Sequence, residues 1–124
     1  MPSDKLFIAA GACFGFLGVV TGAFGGHLLK QKLSADLLSI FEVGVRYHLI
    51  HALALILAGI LYAKMQGSLM VVSGYCFMLG IFLFSGSLYA LALSGVRLWG
   101  AVTPFGGLLF LTGWACLTIA SLRS

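Results

Sequence analysis

The amino-acid sequence predicts an all-α membrane protein that crosses the bilayer four times as an antiparallel helical bundle. Hydrophobic residues make up 61% of its 124 residues and charged residues only 8%, against roughly 45–50% and about 25% in an average soluble domain. A soluble chain of this length has too large a surface-to-volume ratio to bury so many apolar side chains. Long charge-free segments alternate with short polar ones. We therefore expect one transmembrane domain, residues 1–124, surrounded by the lipid bilayer.

The first predicted helix covers about residues 6–28 and carries a stripe of glycines. A helix needs about 20 apolar residues to cross about 30 Å of hydrocarbon, and residues 6–29 contain no charge. At about 100° per residue the glycines fall on one side of the helix. Small residues allow membrane helices to pack closely. The stripe predicts a close contact with a second helix or with a second copy in a homo-oligomer; its members are Gly11, Gly15, Gly18, Gly22 and Gly26.

The second predicted helix covers about residues 35–64 and begins with an interfacial segment. Ser34 is a typical N-cap residue. Polar residues then recur at helical spacing opposite apolar ones, which is an amphipathic pattern. Glu42 and Arg46 have the spacing of an i, i+4 ion pair. We expect an interfacial helical segment that leads into a membrane helix, with a bend near Gly44.

The third and fourth predicted helices cover about residues 68–94 and 103–122. Each lies within a charge-free segment of more than 20 residues. Gly95 is placed to end helix three, because glycine is the usual residue just past a helix. Thr103 and Pro104 are placed to begin helix four as its N-cap and first-turn proline.

Antiparallel helices bring most of the unusual polar residues to one membrane face. The end of helix one, the start of helix two, the end of helix three and the start of helix four all lie there. Ionisable groups at membrane depth are costly, so they usually pair or line a cavity. The candidate polar or ligand site at this face, which includes all three histidines, consists of His27, Glu42, Arg46, Tyr47, His48, His51, Ser85, Ser87, Tyr89 and Thr103.

Several interpretations of this face stay open. His27, His48 and His51, together with Glu42, could bind zinc or copper, and two histidines on different helices could ligate haem. A histidine, carboxylate and tyrosine group could move protons or bind a small polar ligand. The favoured interpretation is structural, with these side chains bonding helix ends and lipid headgroups. His-x-x-His spacing alone does not define a metal site.

Composition and motifs argue against two classes of function. The net charge of +4 comes from seven scattered basic residues, without the basic patch that follows a phosphate backbone, so we expect no nucleic-acid binding. No nucleophile elbow, phosphate loop or dinucleotide fingerprint occurs in the sequence. We expect a protein that is not an enzyme, with a structural or interaction role. The alternative is binding or transport of a metal ion, proton or small ligand at the histidine-rich face.

Four segments of the chain resemble one known family. They are Gly22–His27, Tyr47–Ala54, Leu83–Tyr89 and Thr103–Trp114. Their order is similar to that of the domain-of-unknown-function family 423, the YgdD-like small four-helix membrane proteins, and the resemblance covers nearly the whole chain. It implies a multi-pass protein of the cytoplasmic membrane and supplies no activity. Because the four segments coincide with the polar face, that face is the first to test.

Overall fold

Four long helices make up the fold. The computed structural model describes residues 3–124. Each membrane span contains 27 or 28 residues when the fourth is counted from Arg97 to Arg123. That length is enough to cross the hydrocarbon core of a bilayer at about 1.5 Å per residue. The predicted four-span, all-α fold is confirmed. The helices are α1 (Ser3–Leu29), α2 (Ala35–Tyr62), α3 (Ser68–Ser94) and α4 (Thr103–Arg123), with a 3-10 turn at Arg97–Ala101 before α4.

Local sequence signals explain where the helices begin and end. The Ser34 hydroxyl accepts a backbone N–H bond at 3.2 Å in the first turn of α2, so the predicted N-cap is confirmed. Gly95 has φ of +73°, the left-handed conformation that ends α3. Thr103 is not the N-cap of α4, because it is already helical and Val102 precedes it. Its hydroxyl bonds to a side chain of α3 instead.

Helix α2 is a single uninterrupted element from Ala35 to Tyr62. Gly44, where we expected a bend, is buried against α3. A Cβ built on Gly44 would lie 2.9 Å from the Tyr89 ring. The missing side chain therefore allows α3 to approach α2 closely, and the interfacial segment and the membrane helix form one α-helix.

The helices pack in chain order around α2 and α3. Helix α1 packs mainly along α2, α4 packs mainly along α3, and α2 and α3 contact each other. Rings on one helix fill the space that glycines leave on the next. A Cβ added to Gly80 would lie 2.5 Å from Phe110, and one added to Gly113 would lie 2.7 Å from Phe77. The core consists of Phe7, Ala54, Leu55, Ala58, Met70, Phe77, Ile81, Phe110 and Ala120.

Three glycines of the predicted stripe lie against α2. A Cβ added to Gly11, Gly18 or Gly22 would come within 2.8 Å of an α2 side chain. Glycine at these positions therefore permits close packing of the two helices. This contact is made within one chain, between α1 and α2.

The other two glycines of the stripe do not line this contact. An added Cβ at Gly15 or Gly26 would meet nothing within 4 Å. Gly15 lies toward one edge of the stripe. Gly26 follows a π-helical segment at Val20–Gly25, which shifts the residues after it out of α-helical register. The prediction that all five glycines share one contact is therefore wrong for these two.

Candidate functional site

His48 lies at a junction of three helices. Its Nε2 is 2.8 Å from the Phe14 carbonyl of α1, and its Nδ1 is 2.8 Å from the Tyr89 hydroxyl of α3. A carbonyl only accepts, so Nε2 must carry a hydrogen and donate it. In the neutral ring, Nδ1 then accepts from Tyr89. The Tyr89 oxygen also lies 3.4 Å from the Thr21 hydroxyl, which donates its hydrogen to the Gly18 carbonyl of α1 at 3.1 Å.

His51 is bonded to α4, and its two ring nitrogens exchange the donor and acceptor roles that they have in His48. Its Nδ1 is 2.8 Å from the Tyr47 carbonyl, one turn earlier on α2. Its Nε2 is 3.0 Å from Nε1 of Trp114. An indole N–H only donates, so Nε2 must be free of hydrogen and Nδ1 must donate to the carbonyl. The ring stacks on Phe110, with centroids 3.5 Å apart and planes 8° apart. These partners assign His51 to the neutral Nδ1–H tautomer.

The three histidines do not converge. His27 is exposed on α1, whereas His48 and His51 are buried and point toward different helices. Among residues 3–124 there is no group of three or more His, Cys, Asp or Glu side chains that could hold a metal ion. Both ring nitrogens of His48 and His51 are bonded to protein atoms. The three-histidine set that we considered for zinc or copper is therefore not assembled among the described residues.

Two serines of α3 connect it to the helices on either side. Ser85 is buried and donates to the Gly44 carbonyl of α2 at 2.7 Å. Ser87 donates to the Phe84 carbonyl at 2.9 Å and therefore accepts from Thr103 of α4 at 2.6 Å. Ser85 closes a π-helical segment that begins at Ile81, a feature found frequently at functional sites. These serines place α3 against both neighbours by hydrogen bonds.

The charged residues are arranged differently from the prediction. Glu42 and Arg46 are exposed and do not form the expected ion pair. The ion pair found among residues 3–124 joins Arg97 and Asp36 at 2.6 Å, with both side chains more than 60% exposed. It links the start of α2 to the turn before α4. Sequence reasoning missed it because the two residues are far apart in the chain.

A groove opens beside His51, between α2 and α4. Its volume is about 620 Å³, within the usual 300–1,000 Å³ of small-molecule sites. Sequence reasoning identified Tyr47 and His51 but missed the α4 wall, because an apolar helix face gives no signal until its neighbour is known. The groove is lined by Tyr47, His51, Phe84, Pro104, Gly107, Leu108, Phe110, Leu111 and Trp114.

A short chain with four apolar spans, whose buried polar side chains bond to neighbouring helices, is a small polytopic membrane protein. Comparison with known proteins supports this class and identifies the family within it. The chain belongs to the family described as "Protein of unknown function (DUF423)", whose model matches residues 21–107. The family predicted from the four sequence segments is thereby confirmed.

Relatives are similar over nearly their whole length. A UPF0382 membrane protein of Staphylococcus haemolyticus is 44% identical over 119 residues, covering 96% of this chain and 97% of the relative. YwdK, a UPF0382 membrane protein of Bacillus subtilis, is 38% identical and covers 96% and 98%. YgdD, a UPF0382 inner membrane protein of Escherichia coli, is 36% identical and covers 98% and 92%. No solved structure matches the chain.

These relatives and the four apolar spans establish the location. The chain is a multi-pass protein of the cytoplasmic membrane. The printed names of the relatives describe membrane proteins and give no activity. Any function must therefore be argued from the geometry of the helices and of the groove between them.

Proposed function

We propose that this chain is a non-enzymatic membrane protein that holds one acyl chain of a phospholipid in the groove between α2 and α4. The observation that carries the proposal is the groove itself, about 620 Å³ in volume with mainly aromatic and aliphatic walls. Sites of this size and lining bind small molecules. Both helices are long and apolar enough to cross a membrane, so lipid is the solvent that the groove faces.

The length of the groove is that of one lipid leaflet. Its α4 wall runs from Pro104, in the first turn of that helix, to Trp114. At about 1.5 Å per residue this distance is about 15 Å. The hydrocarbon core of a bilayer is about 30 Å thick for two leaflets. An acyl chain that enters beside Pro104 would therefore reach Trp114 near the centre of the bilayer.

The ring nitrogens of His51 and Trp114 in the groove are bonded to protein partners. His51 and Trp114 bond to each other through Nε2 and Nε1, and the remaining nitrogen of His51 bonds to the Tyr47 carbonyl. The ring of Phe110 covers one face of His51. A groove that contains a histidine thus presents mainly ring and aliphatic surface, which suits a hydrocarbon chain better than a polar substrate.

This proposal combines two interpretations from the sequence. The polar residues act structurally, because they join helices through satisfied hydrogen bonds. Of the alternative functions, binding of a small ligand is the one that the groove supports. We assign no catalytic step, since both nitrogens of the histidine that lines the groove are already engaged by protein groups.

Native mass spectrometry with a blocked groove tests the proposal. The purified protein is mixed with palmitoyl-oleoyl phosphatidylglycerol and released from detergent. An added Cβ at Gly107 would touch only the Phe84 ring, at 3.9 Å, so Gly107→Phe places a ring in the groove without disturbing the backbone. We expect a one-lipid adduct in the wild type and at least an approximately tenfold smaller adduct in this variant.

The matched control is Gly15→Phe on α1. Gly15 also has open space around its Cβ position and lies outside the groove. This variant should keep the wild-type adduct. Equal adducts in the two variants, or an equal loss in both, would contradict lipid binding in the groove.

A further inference from the structure

Tyr47 brings a free hydrogen-bond donor to the groove between α2 and α4. Three side chains that line this groove carry an N–H or O–H group, namely Tyr47, His51 and Trp114. The ring nitrogens of His51 and Trp114 are bonded to protein atoms. Among residues 3–124 the tyrosine hydroxyl that takes part in hydrogen bonds is that of Tyr89. The Tyr47 hydroxyl therefore has no partner within the described part of the chain.

Aromatic neighbours on three helices hold the ring of Tyr47 in place. Its centroid lies 4.6 Å from that of Phe84 on α3, and 6.4 Å from that of Phe110 on α4. The ring is also nearly parallel to His51, at 6.1 Å. Aromatic pairs prefer tilted or offset arrangements with centroids about 4.5–7 Å apart. The position of the hydroxyl is thus set by packing, although 38% of the residue stays exposed.

Tyr47 lies near the polar end of the groove, where the hydrocarbon layer ends. Gly106 of α4 packs directly on the Phe84 backbone, so Tyr47, Phe84 and Gly106 lie at about the same level. About 20 residues of helix span the hydrocarbon core. Counted back from Arg123 at the end of α4, they reach Thr103. The Tyr47 ring is therefore about 5 Å inside the boundary, which is about three residues of helix.

The Tyr47 side chain extends toward this boundary. In an α-helix the Cα–Cβ bond tilts toward the N-terminus, and long side chains follow that direction. Helix α2 begins at the polar face, at Ala35, so its N-terminal direction is the direction of the membrane surface. The hydroxyl thus reaches the depth at which ester groups join the acyl chains of a lipid to glycerol. Tyrosine is enriched at this level of membranes.

Thr103 and Pro104, at the same end of the groove, do not compete with Tyr47 as side-chain donors. The Ser87 hydroxyl gives its hydrogen to the Phe84 carbonyl, so the Thr103 hydroxyl donates to Ser87, at 2.6 Å. Pro104 has no backbone N–H. A hydroxyl without a partner in apolar surroundings is costly. An acceptor that arrives with the ligand would remove this cost at Tyr47.

We propose that the Tyr47 hydroxyl donates a hydrogen bond to the ester carbonyl of the acyl chain held in the groove, and so selects ester-linked glycerolipids. This inference rests on the lipid-binding function proposed above. A carbonyl oxygen is a good acceptor, whereas a lipid with ether-linked chains lacks that oxygen. A site built to bond one group discriminates against an analogue without it, because the polar group of the site is then left unpaired.

Competition between two lipids in native mass spectrometry tests the selection. The wild-type protein in detergent is mixed with equal amounts of palmitoyl-oleoyl phosphatidylglycerol and its dialkyl ether analogue. The analogue has the same headgroup and chain lengths but no ester carbonyls. The two adducts differ in mass, so one spectrum measures both. We expect about threefold to tenfold more of the ester adduct, the ratio that corresponds to one neutral hydrogen bond.

Tyr47→Phe removes the hydroxyl and keeps the ring that packs on Phe84 and Phe110. The ester adduct should fall to the level of the ether adduct, which should itself change by less than about twofold. The matched control is Tyr75→Phe on α3. Tyr75 is 42% exposed and lies outside the groove, so this variant should keep the wild-type ratio. A loss confined to the ester lipid would not result from damage to the fold.

Three results would overturn ester selection: equal adducts of the two lipids in the wild type, an unchanged ratio in Tyr47→Phe, or an equal loss of both adducts in that variant. The groove is tested separately, because Gly107→Phe should lower both adducts alike. A wild type without any lipid adduct would reject lipid binding and ester selection together. Equal adducts that Gly107→Phe abolishes would reject ester selection alone.

Discussion

His48 and His51 lie one turn apart on α2, yet they use opposite hydrogen-bonding patterns. His48 donates from Nε2 to α1 and accepts at Nδ1 from a hydroxyl of α3. His51 donates from Nδ1 within α2 and accepts at Nε2 from the indole of Trp114. The partner on the neighbouring helix, rather than the position on α2, therefore determines which ring nitrogen donates a hydrogen bond and which accepts one.

Tyr89 and Trp114 also differ in which protonation state of the histidine they can bond to. The Tyr89 hydroxyl can donate or accept a hydrogen bond, so it can bond to either protonation state of His48. The indole N–H of Trp114 can only donate, so its bond to His51 exists only while that ring is neutral. His48 thus belongs to an adaptable junction of three helices, and His51 belongs to a fixed wall of the groove.

The largest change in the free energy of unfolding should follow from removing the hydrogen bonds of His48. His48→Phe keeps a ring but removes two bonds that join different helices. Interhelical hydrogen bonds in membranes contribute about 0.6 to 2 kcal/mol each, so we expect a loss of about 1–3 kcal/mol in the free energy of unfolding, measured by steric trapping in bicelles. His27→Phe is the matched control, since His27 is exposed. A loss no larger than that of the control would show that the junction does not stabilise the bundle.

Replacing His51 should lower the free energy of unfolding by less than replacing His48. His51→Phe removes one interhelical bond, from Trp114, whereas its other bond stays within α2. The new ring can retain the stack on Phe110. We expect a loss of about 0.5–1 kcal/mol in the same assay. A larger loss than that of His48→Phe would reverse the comparison and make the groove wall the principal junction.

The smallest effect should come from the surface ion pair. Arg97→Ala breaks its contact with Asp36, in which both side chains are more than 60% exposed. Exposed pairs contribute about 0–1 kcal/mol. The unfolding free energy should change by less than about 0.5 kcal/mol at moderate salt. A change comparable to that of His48→Phe would mean that the loops, rather than the buried histidines, hold the polar ends together.

The fold was predictable because lipid imposes simple constraints on sequence. Charge-free segments of sufficient length predicted three of the four spans, and an amphipathic segment leading into an apolar one predicted α2. Local chemistry at Ser34 and Gly95 predicted two helix ends. The residue types of the polar face were also identified, since polar groups are rare in apolar segments. All of these signals are local, so each can be read without knowing which helices are neighbours.

The geometry of the site was not predictable in the same way. Spacing placed His48 and His51 close together on α2, but their rings bond to different helices. The partners Phe14 and Trp114 contribute a backbone carbonyl and an indole N–H, and nothing in the sequence shows which histidine each one faces. The α1 stripe was overestimated at Gly26, because a π-helical segment breaks the register that periodicity assumes.

The tautomers of the two buried histidines test this account most directly. Nitrogen-15 solid-state NMR of histidine-labelled protein in lipid distinguishes a protonated ring nitrogen from an unprotonated one. Signals are assigned with His48→Phe and His51→Phe. At neutral pH we predict the Nε2–H form for His48 and the Nδ1–H form for His51. The same tautomer at both positions would contradict the assignment of opposite hydrogen-bonding patterns to His48 and His51.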